Sequence, residues 1–336
     1  MHDDNPLLNA LTREGVLINV SCRYWRAAKK LQPGDIGLDP DDVTDRLISL
    51  GHKKLLPREA LATFALIESR AHALVDANTF PFLNGLGHFL PNKKLAEVSR
   101  RLKDLESEFR SAQEAFAQQY GQLRTQALVE WHEAARKLSS NPERVVAAIQ
   151  AAFPSPDRLD HYFGFNVNLF QIKLPQKLEA ELVTTADLEA VADARRKAAE
   201  DASRQIRTGV QSFVSDCVAS LREQTAGLCD EMLASFRDGK LGVHQKTLNR
   251  LLTFIDQFKS LNFAGDRDLE TRLEEVRRQF LTRSAEDYRD DGKAQSRLTQ
   301  GIKNLADAAR EMARQDSTEI VARFGQMGVR RFTLAA

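Results

Sequence analysis

Leu95, Val98, Leu102, Leu105, Phe109, Ala112 and Phe116 recur at spacings of 3, 4, 3, 4, 3 and 4. That is a heptad seam, the pattern of helices packed side by side. Asn92 supplies an N-cap, and Tyr120, Leu123, Trp131 and Leu138 extend the stripe. With Gly121 tolerated inside it, the pattern predicts a helix to about Ser139, roughly 70 Å long at 1.5 Å per residue. A helix of that length must project or find an equally long partner.

A second long run covers about 186–237, its inner face traced by Leu188, Ala192, Arg195, Ala199, Ala202, Ile206, Val210, Phe213, Cys217, Leu221, Leu228, Met232 and Phe236. Its drifting spacing predicts only weak supercoiling. The first half is rich in Ala and charge and the second is more apolar, which suggests an exposed or closely packed tip and a buried base. Matching lengths and stripes predict an antiparallel stalk of 92–139 against 186–237. The seam fits an intramolecular core or a homodimer interface, and the oligomeric state stays open.

Elsewhere the pattern is shorter. Residues 1–15 read as a helical or irregular lead, and Val16–Trp25 alternates like a strand. Pro33-Gly34-Asp35 and Asp39-Pro40 are turns, and Pro57 opens a helix with Leu61, Phe64, Ala65, Ala71, Leu74 and Val75 inward, ending near Asn78. Residues 79–91, with Pro81, Gly85, Gly87 and Pro91, read as a loop. Asn141-Pro142 starts a short helix that ends near Phe153-Pro154, and 165–174 is a second strand. Helices follow over 244–262, then through Leu269, Leu273, Val276 and Phe280. Beyond a break at Asp290-Asp291-Gly292, one last helix carries Leu298 through Phe324, and 328–334 is a third strand candidate.

A lone strand leaves its backbone groups unpaired, so the three are expected to pair, joining the chain ends and burying Val20, Phe170, Ile172 and Phe332. The expected class is mainly α: an elongated helical bundle with a long antiparallel coiled-coil stalk and a small β-sheet near its base. The expected divisions are 1–91 (strand and helical base), 92–139 (first stalk helix), 140–185 (connector with strand), 186–237 (second stalk helix) and 238–336 (C-terminal bundle with terminal strand).

Composition narrows the class. Hydrophobic residues at 42% and charged residues at 28% are too apolar for a disordered chain and too charged for a membrane protein. The 48 basic residues balance 47 acidic ones, so net charge gives no support to nucleic-acid binding. Basic runs at His52-Lys53-Lys54, Arg100-Arg101, Arg195-Arg196-Lys197 and Arg330-Arg331 mostly sit among acidic residues and read as solvated faces rather than phosphate sites. Cys22, Cys217 and Cys229 are too widely spaced for a disulfide framework or a zinc site, and Cys217 falls on an apolar stripe. The polar start Met1-His2-Asp3-Asp4-Asn5-Pro6 does not read as a signal peptide. No run approaches the roughly 18 apolar residues of a membrane span. A soluble cytoplasmic protein without a membrane partner is expected.

Catalytic signatures are missing. No phosphate loop of the G-x-x-x-x-G-K-[ST] type occurs, and Gly85-Leu86-Gly87 lacks the third glycine of a dinucleotide site. Trp131-His132-Glu133-Ala134-Ala135-Arg136 has Arg where a metalloprotease helix needs its second His. His88, His161 and His244 are isolated. Asp35, Asp39, Asp41, Asp42 and Asp45 lack the ligand order of a calcium loop, and Asp287, Asp290 and Asp291 read as a turn before a helix. No serine sits in a nucleophile elbow. No catalytic residue, metal ligand or cofactor is expected, and partner-binding residues are not identifiable.

The N-terminal half carries a resemblance. Val20-Ser21-Cys22-Arg23-Tyr24-Trp25 is followed by Lys30-Leu31-Gln32-Pro33-Gly34-Asp35-Ile36-Gly37-Leu38, and then by Ile48-Ser49-Leu50-Gly51-His52-Lys53-Lys54-Leu55-Leu56. Pro91-Asn92-Lys93-Lys94 then opens the long helix, with Phe109, Phe116 and Tyr120 along it. Over about 10–175 this resembles the uncharacterised bacterial domain-of-unknown-function family 3150. Its members tend to be encoded on mobile elements, beside a MoxR-type AAA+ ATPase and a protein with a von Willebrand factor A domain. The resemblance implies a helical accessory partner of an ATPase-driven module and supplies no catalytic residues.

The expected function is therefore a non-enzymatic helical adaptor or scaffold beside that ATPase and that von Willebrand factor A protein, in defence or DNA maintenance. Its rival is a nucleic-acid-associated protein acting on mobile-element DNA through local Lys/Arg stripes.

Overall fold

In the computed structural model, residues 5–33, 51–138, 141–172, 188–238, 243–315 and 317–329 are described. The chain is mainly helical with a small antiparallel sheet. It divides into two units that it crosses between four times. Unit 1 holds 1–18, 78–96 and 169–336; unit 2 holds 19–77 and 97–168.

Unit 1 begins with α1 (Pro6–Glu14), whose first N–H groups are capped by the Asn5 side chain. Strand β1 (Gly15–Arg23) starts here and runs into unit 2. Residues 79–91, expected as a loop, form β4 (Phe80–Phe82) and β5 (Gly87–Pro91). β5 pairs antiparallel with β1, Gly15 opposite Pro91 and Ile18 opposite His88, and β4 pairs with β5, Phe80 opposite Phe89. The sheet order is β4-β5-β1-β6, with β6 spanning Gly164–Phe170. Pro81 is tolerated because β4 is an edge strand, and Gly85, at φ 94°, takes the left-handed turn that glycine accepts at no steric cost.

The helices of unit 1 are α5 (Leu188–Asp238), α6 (Gln245–Leu261), α7 (Arg267–Phe280), α8 (Ala285–Asp290), α9 (Gly292–Arg314) and α10 (Thr318–Val329). α5 lies along α9 and also meets α1, α6 and α10, while α10 packs on α1. From Val210 onward the inner face of α5 (Phe213, Val214, Cys217, Leu221, Cys229, Met232) is buried in one core with Leu251, Leu298, Ile302 and Phe324. Ahead of Val210 on this stripe, Ala199 is buried and Ala202 and Ile206 are half-buried. Phe82, Phe89, Phe213 and Phe263 form a ring cluster under the sheet.

Unit 2 holds α2 (Ala62–Asn78, ending at the unit boundary), nearly all of α3 (Asn92–Leu138) and α4 (Pro142–Ala152). A two-stranded ribbon of β2 (Ala28–Lys30) and β3 (His52–Lys54) completes it. α3 begins at the expected Asn92 and continues through Gly121, whose surroundings are open. Its seam is filled from within unit 2. Phe64 of α2 meets Phe109, Phe116 and Phe163, and Trp25 meets Phe116, Tyr120 and Phe153. Tyr120 donates to the carbonyl of Pro154 at 2.6 Å. The α3 stripe between Phe109 and Tyr120 thus packs on aromatic residues of unit 2, and from Val210 onward the α5 stripe packs in the core of unit 1.

Two further expectations change. The single last helix is two, α9 ending at Arg314 and α10 starting at Thr318, and the Ser317 hydroxyl meets that of Ser215 on α5 at 2.5 Å. The third strand candidate fails at its start, because α10 runs through Val329; residues 330–334, Phe332 among them, lie outside the described residues. Val20 is buried and Ile172 packs on the unit 1 core, but Phe170 keeps 37% of its surface exposed.

Candidate partner-binding groove

The residues screened for chemistry are dispersed. His132 faces Glu143 at 3.4 Å, and the His88 ring meets the Thr79 hydroxyl at 3.3 Å. His161 lies in a 3-10 turn (Pro156–Tyr162), and His244 precedes α6 without capping it through its side chain. Among the described residues no three His, Cys, Asp or Glu side chains come together as metal ligands would. Gly85-Leu86-Gly87 is the β4–β5 turn. Asp287 accepts from the Ser284 backbone at 2.8 Å and from its hydroxyl, which together hold its carboxyl below the usual range; Asp291 caps α9. Asp35 through Asp45 lie outside the described residues. Burial pushes the Cys22 thiol up to about 11 and the Cys229 thiol up to about 12, and it raises Cys217 as well. A thiol held protonated in this way is a poor nucleophile.

What the fold does build is a groove of about 600 Å³ between α7 and α9. Its α7 wall carries Arg272, Glu275, Val276, Gln279 and Phe280, and its α9 wall carries Arg297, Gln300, Gly301, Asn304 and Leu305. Both sets follow the same helical spacing, i, i+3, i+4, i+7 and i+8, which keeps each on one face. Val276 and Leu305 are buried at the floor, while the Arg, Gln, Asn and Glu side chains stand exposed on the rims. At Gly301 the Phe280 ring packs against the helix backbone, and a Cβ there would lie 2.4 Å from it, so the ring would have to shift.

The walls are anchored. α7 is capped by the Asp266 side chain, which accepts from the Leu269 N–H at 3.3 Å. Its far end is held by the buried Tyr288, whose hydroxyl donates to the Phe280 carbonyl at 2.7 Å. Burial raises the Tyr288 pKa, against the lowering effect of nearby Arg283 and Arg297. The rim guanidiniums have no carboxylate partner: Arg272 makes no hydrogen bond or ion pair among the described residues, and Arg297 donates only to the Lys293 carbonyl. Outside the groove, Arg277 on the same helix pairs with Asp256 at 2.7 Å. The groove therefore joins an apolar floor to exposed rims that carry Arg272 and Glu275 on one side and Arg297 on the other. Sequence reasoning saw both stripes as core faces and missed the groove, because its two walls meet only in the folded chain.

The chain matches, over residues 12–307, the family described as a protein of unknown function (DUF3150). It belongs to that family. The match extends well past the N-terminal half that carries the resemblance and takes in the α7–α9 groove. No curated protein and no solved structure matches the chain. Among the described residues, no helix is long and apolar enough to cross a membrane.

Proposed function

We propose that this DUF3150 chain is a non-enzymatic helical adaptor. It docks a partner in the α7–α9 groove and serves as accessory subunit of a MoxR-type AAA+ ATPase and a von Willebrand factor A protein encoded beside it on a mobile element. The setting is cytoplasmic, in defence or DNA maintenance. The observation that carries the reading is the groove itself: two anchored helices present matched faces, an apolar floor, and exposed Arg272 and Arg297 without a carboxylate partner among the described residues. The chemistry of nucleotide hydrolysis then belongs to the ATPase, and this chain supplies surface.

Co-expression with the two neighbouring gene products tests the reading. A stable complex with at least one of them, and no ATP turnover by this chain alone, is the expected result. Turnover by the pure chain that a point substitution in it abolishes would overturn the non-enzymatic reading. Failure to bind either neighbour would overturn the adaptor reading.

A further inference from the structure

The two edges of the sheet differ. β4 is three residues long, carries Pro81 and buries Phe80 and Phe82, so it is a poor template for another strand. β6 is seven residues long and contains neither proline nor charge. No described strand lies on its outer side. From Tyr162 to Ile172 the chain holds no Asp, Glu, Lys, Arg or His, although 28% of all residues are charged. The lysines, prolines and inward charges that guard natural sheet edges are missing from this one.

β6 is also where apolar surface meets water. Tyr162, Val167, Leu169 and Phe170 make up half of the large exposed hydrophobic side chains among the described residues, and the others, Leu66, Leu86, Val129 and Met327, are scattered singly. Val167 keeps 36% of its surface exposed and Leu169 50%, and Asn166 and Asn168 are exposed beside them. Successive side chains of a strand point to opposite faces, so both faces meet water here.

The order of residues selects the occupant. Phe165-Asn166-Val167-Asn168-Leu169 alternates apolar and polar identically in either direction from Val167. Antiparallel pairing runs one strand backwards along the other, so a second copy presents the matching pattern. Val167 then faces its own image, Asn166 faces the Asn168 of the second copy, and Phe165 faces its Leu169. Opposite residues share a face. Apolar pairs therefore line one side of the ladder, and amide pairs line the other. A two-fold contact also sets a central side chain against its twin, where any charge would be repelled. This strand brings none.

We infer that the outer edge of β6 pairs antiparallel with β6 of a second copy of this chain, about a two-fold axis at Val167. The dimer is reversible and concentration-dependent, because one pair of short strands falls short of the roughly 1,200 Å² that a stable interface buries.

The test is sedimentation velocity of the full chain from low micromolar to several hundred micromolar concentration. The native chain should shift from monomer to dimer across that range. V167K and V167E should each weaken self-association roughly tenfold or more, since either places like charges face to face. An equimolar mixture of V167K and V167E should restore the dimer, because the axis then joins an ammonium to a carboxylate. Val167 is exposed, so circular dichroism and melting temperature should match the native chain in both variants. Arg272→Glu with Arg297→Glu should leave the dimer unchanged, which keeps this inference separable from the groove reading. A chain that stays monomeric at every concentration would overturn the inference, whether another segment of this chain covers the edge or a different protein takes it. Self-association undiminished in V167K, or a mixture no more dimeric than its components, would overturn it equally.

Discussion

The Arg222 guanidinium donates to the Asp266 carboxylate at 2.7 Å, with both side chains almost sealed from water. Arg222 also donates to the Met312 carbonyl near the end of α9, and Asn262 brackets Asp266 with hydrogen bonds to its backbone N–H and carbonyl. One residue of α5 thus fixes the capped start of α7 and the last turn of α9, the two helices that wall the groove. Breaking a buried pair from one side strands a charge. Arg222→Met should therefore lower the unfolding free energy by about 3–5 kcal/mol. Denaturant unfolding checks this, and a loss below about 1 kcal/mol, the scale of one ordinary hydrogen bond, would show that the pair does not anchor the groove.

Gly15, opposite Pro91, lets β1 pack tightly against β5. A Cβ there would lie 2.5 Å from the Leu90 carbonyl oxygen, a backbone atom that cannot rotate away. Gly15→Ala should destabilise unit 1 by about 1–3 kcal/mol, the usual cost of overpacking. Faster amide exchange across Val16–Ile18 and Phe89–Leu90 should accompany the loss. Unchanged exchange in both strands would count against the pairing register.

Phe64 is the hub of the other core, its ring packed against those of Tyr24, Phe109, Phe116 and Phe163. Phe64→Ala should cost about 3–5 kcal/mol and loosen α3 between Phe109 and Tyr120. If α3 owed its burial to another helix instead, exchange protection in that stretch would survive the substitution.

The long helices were largely legible in the sequence. Asn92 and the heptad fixed α3 to within a residue of its observed end, because both signals are local. β4 and β5 were not, since Phe80-Pro81-Phe82 and Gly87–Pro91 carry the residues of turns and become strands only through β1, more than sixty positions away. The partner of a stripe was also illegible. A heptad states that a face is covered without naming its cover, and at Phe116 that cover includes Phe64, Phe163 and Trp25. The groove shares that limit, because Gly301 reads as a weak helix position until the Phe280 ring is placed against it.

Alkaline pH offers a separate check. Burial pushes the Tyr120 phenol up to about 12 from an ordinary value of 10.0. A folded pKa above the unfolded one stabilises fully below the unfolded value, and that contribution is lost as pH rises from 10 toward 12. Tyr120→Phe should cost about 1 kcal/mol at neutral pH through loss of the bond to Pro154, and it should shrink the fall in melting temperature above pH 10. An identical alkaline fall in both proteins would reject this assignment.

The most direct measurement is the affinity of the purified chain for the neighbouring AAA+ ATPase and von Willebrand factor A protein, by calorimetry, for the native chain and for Arg272→Glu with Arg297→Glu. The groove account predicts saturable binding to one of them, weakened at least tenfold by the double charge reversal, with the helical content unchanged. Binding to neither protein, or binding that the reversal leaves intact, would contradict it.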